Sequence, residues 1–167
     1  AERLRDYGDR LPESERTELL EIIAGAVRRM SHLLEDVLTI GRADAGRMEL
    51  APAKVDLPAL CGRIVEEART VARDAAAPEI PIRLAFSGER GPALLDENLL
   101  RHILGNLLSN AMKYSGSDNG EVCLDVDQHG DRVVFAVTDR GIGIPPEDLA
   151  NLFETFYRAA NVRNIAG

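Results

Sequence analysis

Two asparagines four residues apart, Asn106 and Asn110, and an Asp-x-Gly-x-Gly run, Asp139-Arg-Gly141-Ile-Gly143, have the types and spacing to do chemistry. Asn-x-x-x-Asn presents two amides on one face of a helix. An amide oxygen is a hard, neutral ligand. It suits magnesium, which then keeps most of its charge for phosphate oxygens. Asn110 could bind the ion while Asn106, one turn earlier, holds water or phosphate. Lys113, one turn on and on the same face, could reach phosphate as a point charge. Asp139 ends a strand-like run, where a carboxylate can accept a hydrogen bond from an adenine amino group. Gly141 and Gly143 remove side chains so that backbone can approach a ligand. Each motif alone is weak, since most such asparagine pairs are solvated and most Asp-Arg-Gly runs are turns. In this order, with a hairpin-like segment between them, they suggest a magnesium-nucleotide site.

The elements that must position these residues follow from the pattern. An amphipathic helix runs from Leu99 to Tyr114, capped by Asp96 and closed at Ser115-Gly116. Glu121 to Val126 and Val133 to Thr138 alternate and flank Gln128-His129-Gly130-Asp131, a hairpin signal. Ile82 to Phe86 alternates like a strand. Asp56-Leu57-Pro58 opens a helix that runs to about Ala76. Pro145-Pro146-Glu147-Asp148 opens a short helix with acids suited to its N-terminus. Three helices against one mixed sheet make an α/β two-layer sandwich. Upstream, Ala1 to Arg10 reads as the end of a helix, broken by Gly8 and Leu11-Pro12-Glu13. A long helix then runs from Ser14 to about Ala45. Leu20, Ile23, Val27, Met30, Leu34, Val37 and Gly41 form a seam on it. Leu19, Ala26, Leu33 and Ile40 form a second stripe. Two stripes imply two neighbours: the preceding helix and, most simply, a second copy of the chain. The fold class expected is therefore α+β: a helical hairpin, half of a dimeric four-helix bundle, followed by the sandwich.

Three segments resemble the bacterial sensor histidine kinases. Leu99-Leu-Arg-His-Ile-Leu-Gly-Asn106-Leu-Leu-Ser-Asn110-Ala-Met-Lys113-Tyr114 looks like their N box, and Val137-Thr-Asp139-Arg-Gly141-Ile-Gly143-Ile144-Pro like their G1 box. Leu152-Phe153-Glu-Thr-Phe156-Tyr157-Arg158 resembles their F box. The resemblance implies a dimerisation hairpin over 1–46, a hinge over 47–57 and an ATP-binding catalytic domain over 58–167. It implies nucleotide contacts from Asn106, Asn110, Lys113, Tyr114, Asp139, Gly141, Gly143 and Ile144. Magnesium would be held by Asn110 and Asn106, and catalysis would be served by Asn106, Lys113 and Arg158. The fold is shared with DNA gyrase, mismatch-repair ATPases and heat-shock chaperone ATPases. ATP-hydrolysing members typically carry a glutamate base where Asn106 stands. Asparagine cannot take a proton at neutral pH, which favours a kinase. An ATPase of the same superfamily and a non-catalytic dimeric signalling scaffold are the competing readings.

The family needs a phosphoacceptor histidine on the first hairpin helix, expected before Ala1. His32, His102 and His129 do not fit its motif. The glycine-rich G2 box would begin at about Gly167. The chain alone is therefore expected to bind nucleotide weakly and not to autophosphorylate. Expected partners are a second copy of the chain, an upstream sensor domain and a response-regulator receiver domain. Asp and Glu total 28 against 20 Lys and Arg, and the net charge of −8 argues against a nucleic-acid partner. No apolar run is long enough to span a bilayer. This region is expected in the cytoplasm, with any membrane anchor of the parent before Ala1. Cys61 and Cys123 read as small buried hydrophobes in a reducing compartment.

Overall fold

The computed structural model describes residues 12–47, 49–74, 80–89, 91–115, 120–154 and 157–162. The expected first hairpin helix, Ala1 to Arg10, lies outside them, as do Met48, Ala76, Gly116, Phe156 and Gly167. The chain divides between Leu50 and Ala51 into two compact units.

The first unit contains one long helix, α1 (Glu13–Asp44). Glu13 and Glu15 lie in its first turn and Arg42 in its last, the charge order the helix dipole favours. Leu20, Val27, Met30, Leu34 and Val37 of the expected seam are half or more exposed in the single chain. Among the described residues no helix is long and apolar enough to cross a membrane.

The second unit is built from β1 (Ala53–Val55), α2 (Leu57–Asp74), β2 (Ile82–Gly88), β3 (Ala93–Leu95), α3 (Glu97–Tyr114), β4 (Val122–His129) and β5 (Arg132–Thr138). Strand β2 pairs parallel with β4, and β4 pairs antiparallel with β5. His129 pairs with Arg132, so the hairpin turn is only Gly130-Asp131, with Gly130 at φ 58°. Along β4, Val122, Leu124, Val126 and Gln128 are buried while Cys123, Asp125 and Asp127 are half-exposed. Leu57, Leu60, Cys61, Ile64, Val65 and Ala68 of α2 recur at helical spacing, as do Leu100, Leu104, Leu108 and Ala111 of α3. Both rows join one core with the buried face of β4. Two helices on one face of a mixed sheet meet the α+β expectation.

Three details refine it. The sheet is in two parts, because β1 pairs antiparallel with β3 apart from β2–β4–β5. Strand β3 has three residues, too few for alternation to announce it. Strand β1, inside the segment expected as hinge, belongs to the second unit. The short helix expected after Pro145 is present and is of the 3-10 kind, Pro146–Asn151. Two prolines at its start remove backbone donors, and Asp148 N–H closes a short turn on Pro145 C=O at 2.9 Å. Cys61 is fully buried, and burial pushes its thiol up to about 11. Cys123 instead faces the outer side of the sheet, with Sγ 3.6 Å from Glu121 Oε2. Neither forms a disulfide.

Asp96 fastens the start of α3 in two directions. Its Oδ1 accepts the Leu99 N–H at 3.0 Å and its Oδ2 accepts the Ala51 N–H at 2.9 Å. These bonds, Leu99's first, hold its carboxyl below the usual carboxylate range. A carboxyl depressed on folding contributes stability above its unfolded pKa, near 3.8, which is lost as pH falls through the lower folded value. Asp96→Ala should therefore lower the thermal midpoint at pH 7 and flatten the acid limb of the stability curve below pH 4. An unchanged acid limb would show that Asp96 is not among the groups that set it.

Candidate functional site

Helix α3 buries Leu104, Leu108 and Ala111, which turns Asn106, Asn110 and Lys113 outward. All three are exposed. Neither asparagine amide is committed to a hydrogen bond among the described residues. Lys113 Nζ lies 5.4 Å from the centroid of the Tyr114 ring, a cation–π distance. His102, one turn before Asn106, is half-buried on the same helix.

The end of α3 meets the glycine loop. A helix leaves its last carbonyls without intrahelical partners. The Tyr114 carbonyl accepts the Ile142 N–H at 3.2 Å. A Cβ added at Gly141 would stand 2.2 Å from that same oxygen and 2.7 Å from its carbon. Glycine is required there by contact. At Gly143 the requirement is conformational, with φ 65° and open space around the position. Asp139 Oδ1 accepts the Gly141 N–H at 2.8 Å, a side-chain turn that fixes the carboxylate at the mouth of the loop. Asp139, Gly143 and Ile144 are exposed, and Tyr114 and Gly141 are half-buried. The row of amides and the glycine loop, separate in sequence, are thus joined at one end of α3.

The loop continues into the 3-10 helix and a second short turn, Ala160–Val162. Asn161 Nδ2 donates to the Gly143 carbonyl at 2.9 Å. Arg158 is exposed, and its Nη2 donates to the Val162 carbonyl at 3.0 Å. Phe153 is fully exposed. Sequence reasoning did not find Asp148, Tyr157 or Asn161 as parts of this assembly. Their partners lie 9 to 18 residues away across irregular backbone, a distance that no periodicity marks.

Residues 95–167, which hold the amide row and the glycine loop, match the family of histidine kinase-, DNA gyrase B-, and HSP90-like ATPases. Over 160 residues the chain is 33% identical to the aerobic respiration control sensor protein ArcB homolog of Haemophilus influenzae, covering 93% of this chain and 46% of that protein. The chain is thus similar to sensor proteins over most of its own length, and residues 95–167 match that ATPase family. Against the alginate biosynthesis sensor protein KinB of Pseudomonas aeruginosa the chain is 29% identical over 164 residues, covering 98% of itself and 27% of the relative. The chain thus spans less than half the length of either curated relative. Among solved structures, full-length ShkA in complex with AMPPNP matches it with a TM-score of 0.67 and 30% identity, over 93% of this chain and 33% of that one.

The chain offers a metal ion a particular donor set. Among the described residues no group of three or more His, Cys, Asp or Glu could hold one. An ion at α3 would have amide oxygens, plus what a phosphate and water bring. That set fits magnesium, which keeps its waters and borrows phosphate oxygens rather than filling a protein cage.

Proposed function

We propose that this chain is the catalytic core of a two-component sensor histidine kinase. It binds Mg-ATP and, in the complete protein, the γ-phosphoryl group passes to a histidine before Ala1 and then to a response-regulator aspartate. The observation that carries this reading is the joint between helix end and glycine loop. There the Ile142 N–H bonds the Tyr114 carbonyl at 3.2 Å, with uncommitted amides on the preceding turns. Likeness to full-length ShkA in complex with AMPPNP supports the nucleotide.

Asn110 and Asn106 give amide oxygens to magnesium, and Lys113 brings positive charge to the phosphates. Magnesium, when bound, neutralises charge on the β- and γ-phosphates. One Asp139 oxygen is taken by the Gly141 N–H, and the other receives the adenine amino group. Gly141, Gly143, Ile144 and Tyr114 form the wall against the nucleotide, and Arg158 meets the γ-phosphate. Asn106 offers no base to activate water, so the site favours transfer to a positioned acceptor over hydrolysis. Positioning and charge neutralisation do most of such a transfer. The exposed α1 stripe supports self-association into a four-helix bundle.

The test is on the full-length protein. Labelled γ-phosphate should appear as acid-labile, base-stable label. Asp139→Asn should lower it about tenfold or more, because an amide that keeps Gly141 turns an N–H toward another donor. Acid-stable label, or steady release of inorganic phosphate in its place, would sink the kinase reading.

A further inference from the structure

Asp148 is a carboxylate with only 6% of its surface exposed, in a stretch where most residues face solvent. A buried carboxylate must be hydrogen-bonded to stay charged. Both oxygens are used, and by one segment. Tyr157 donates its hydroxyl to Oδ1, and Ala160 donates its N–H to Oδ2 at 2.9 Å. Arg158 lies between those two anchors. Its guanidinium bonds Val162, the last residue of the turn that Ala160 opens, at 3.0 Å. Asn161 ties the same turn to the Gly143 carbonyl at 2.9 Å. Ala159, between the anchors, is buried. Residues 157–162 are therefore held to the glycine loop and its 3-10 helix by side-chain bonds.

We propose that Asp148 is a positioning residue that holds the segment Tyr157–Val162, and with it Arg158, beside the glycine loop at the phosphate end of the nucleotide site. The proposal rests on the Mg-ATP reading above. Asp148 touches no nucleotide; it acts by fixing where Arg158 stands. Its loss should then be felt by a triphosphate and scarcely by a diphosphate, because only the γ-phosphate lies within Arg158's charge.

The experiment measures ATP and ADP affinities of this chain, with magnesium, by calorimetric competition. Asp148→Ala should weaken ATP about tenfold, the scale of one charge-assisted hydrogen bond, and leave ADP within about twofold. Asp148→Asn should restore most of the loss. Its oxygen keeps the Ala160 N–H, and the Tyr157 hydroxyl can turn to accept from its amide nitrogen. Tyr157→Phe, which cuts one anchor, should fall between. If Asp148→Ala does not fold, the Tyr157→Phe ratio decides alone. Equal loss of ATP and ADP, or no loss of either, overturns the positioning role while the nucleotide reading stands. A wild-type chain that binds neither nucleotide overturns both.

Discussion

Gly141→Ala should cost about a hundredfold or more in ATP affinity while leaving the protein folded. The added Cβ would meet the Tyr114 carbonyl oxygen at 2.2 Å and its carbon at 2.7 Å. Those are backbone atoms at the end of α3, which cannot swing aside as a side-chain tip would. The loop must retreat. Retreat breaks the Ile142–Tyr114 bond and turns the Gly141 N–H away from Asp139. Two hydrogen bonds at about 1 kcal/mol each, plus displacement of the adenine-facing carboxylate, account for roughly that factor. Gly143→Ala is the contrasting control. It meets no neighbour, so its cost is confined to a positive φ, about 1–2 kcal/mol. Calorimetric titration separates the two. Wild-type affinity in Gly141→Ala would mean that the helix end and the loop are not in contact.

Leu108→Ala should destabilise the second unit by about 3 kcal/mol, within the 2–5 kcal/mol range for emptying a buried leucine site. Leu108 is completely buried in the core where α3 meets α2 and the sheet. Leu107, its neighbour, is 46% exposed, and Leu107→Ala should cost little. Urea denaturation reads the difference as a shift in midpoint at constant slope. Equal midpoints for the two variants would mean that α3 is rotated from the orientation described. That result would also remove the outward facing of Asn106 and Asn110.

Much of this arrangement was legible in the chain. The amphipathic pattern from Leu99 to Tyr114 marked α3, and Leu100, Leu104, Leu108 and Ala111 are the face it buries, turned away from the asparagines. Alternation marked β4 and β5 well, although β4 runs on to His129 because the turn is shorter than the polar residues implied. Strand β3 escaped because three residues carry no period. The short helix after Pro145 was legible from its prolines and acids, but its 3-10 geometry was not, because the same residues open either kind of helix. Cys123 was read as buried because a strand pattern does not say which of its faces is covered. Least legible was what joins the site. The Tyr114 carbonyl is backbone, and backbone has no letter in a sequence. Asp148 looked like a helix-start acid, and only its burial marks it as an anchor.

The parallel pairing of β2 with β4 has a consequence for how the protein is made. Ile82 lies opposite Val122, and all of α3 is contained in the connection between them. Such a pair forms only after a long loop has closed, which is slow compared with making a helix. A nascent chain that has emerged as far as Tyr114 therefore carries both asparagines on a helix that β4 and β5 have not yet joined. Its apolar face, Leu100 to Ala111, can meet α2 but lacks the buried face of β4 until that strand arrives. The proposed site is completed late in synthesis, and the preceding interval is when the nascent second unit is most dependent on protection from aggregation.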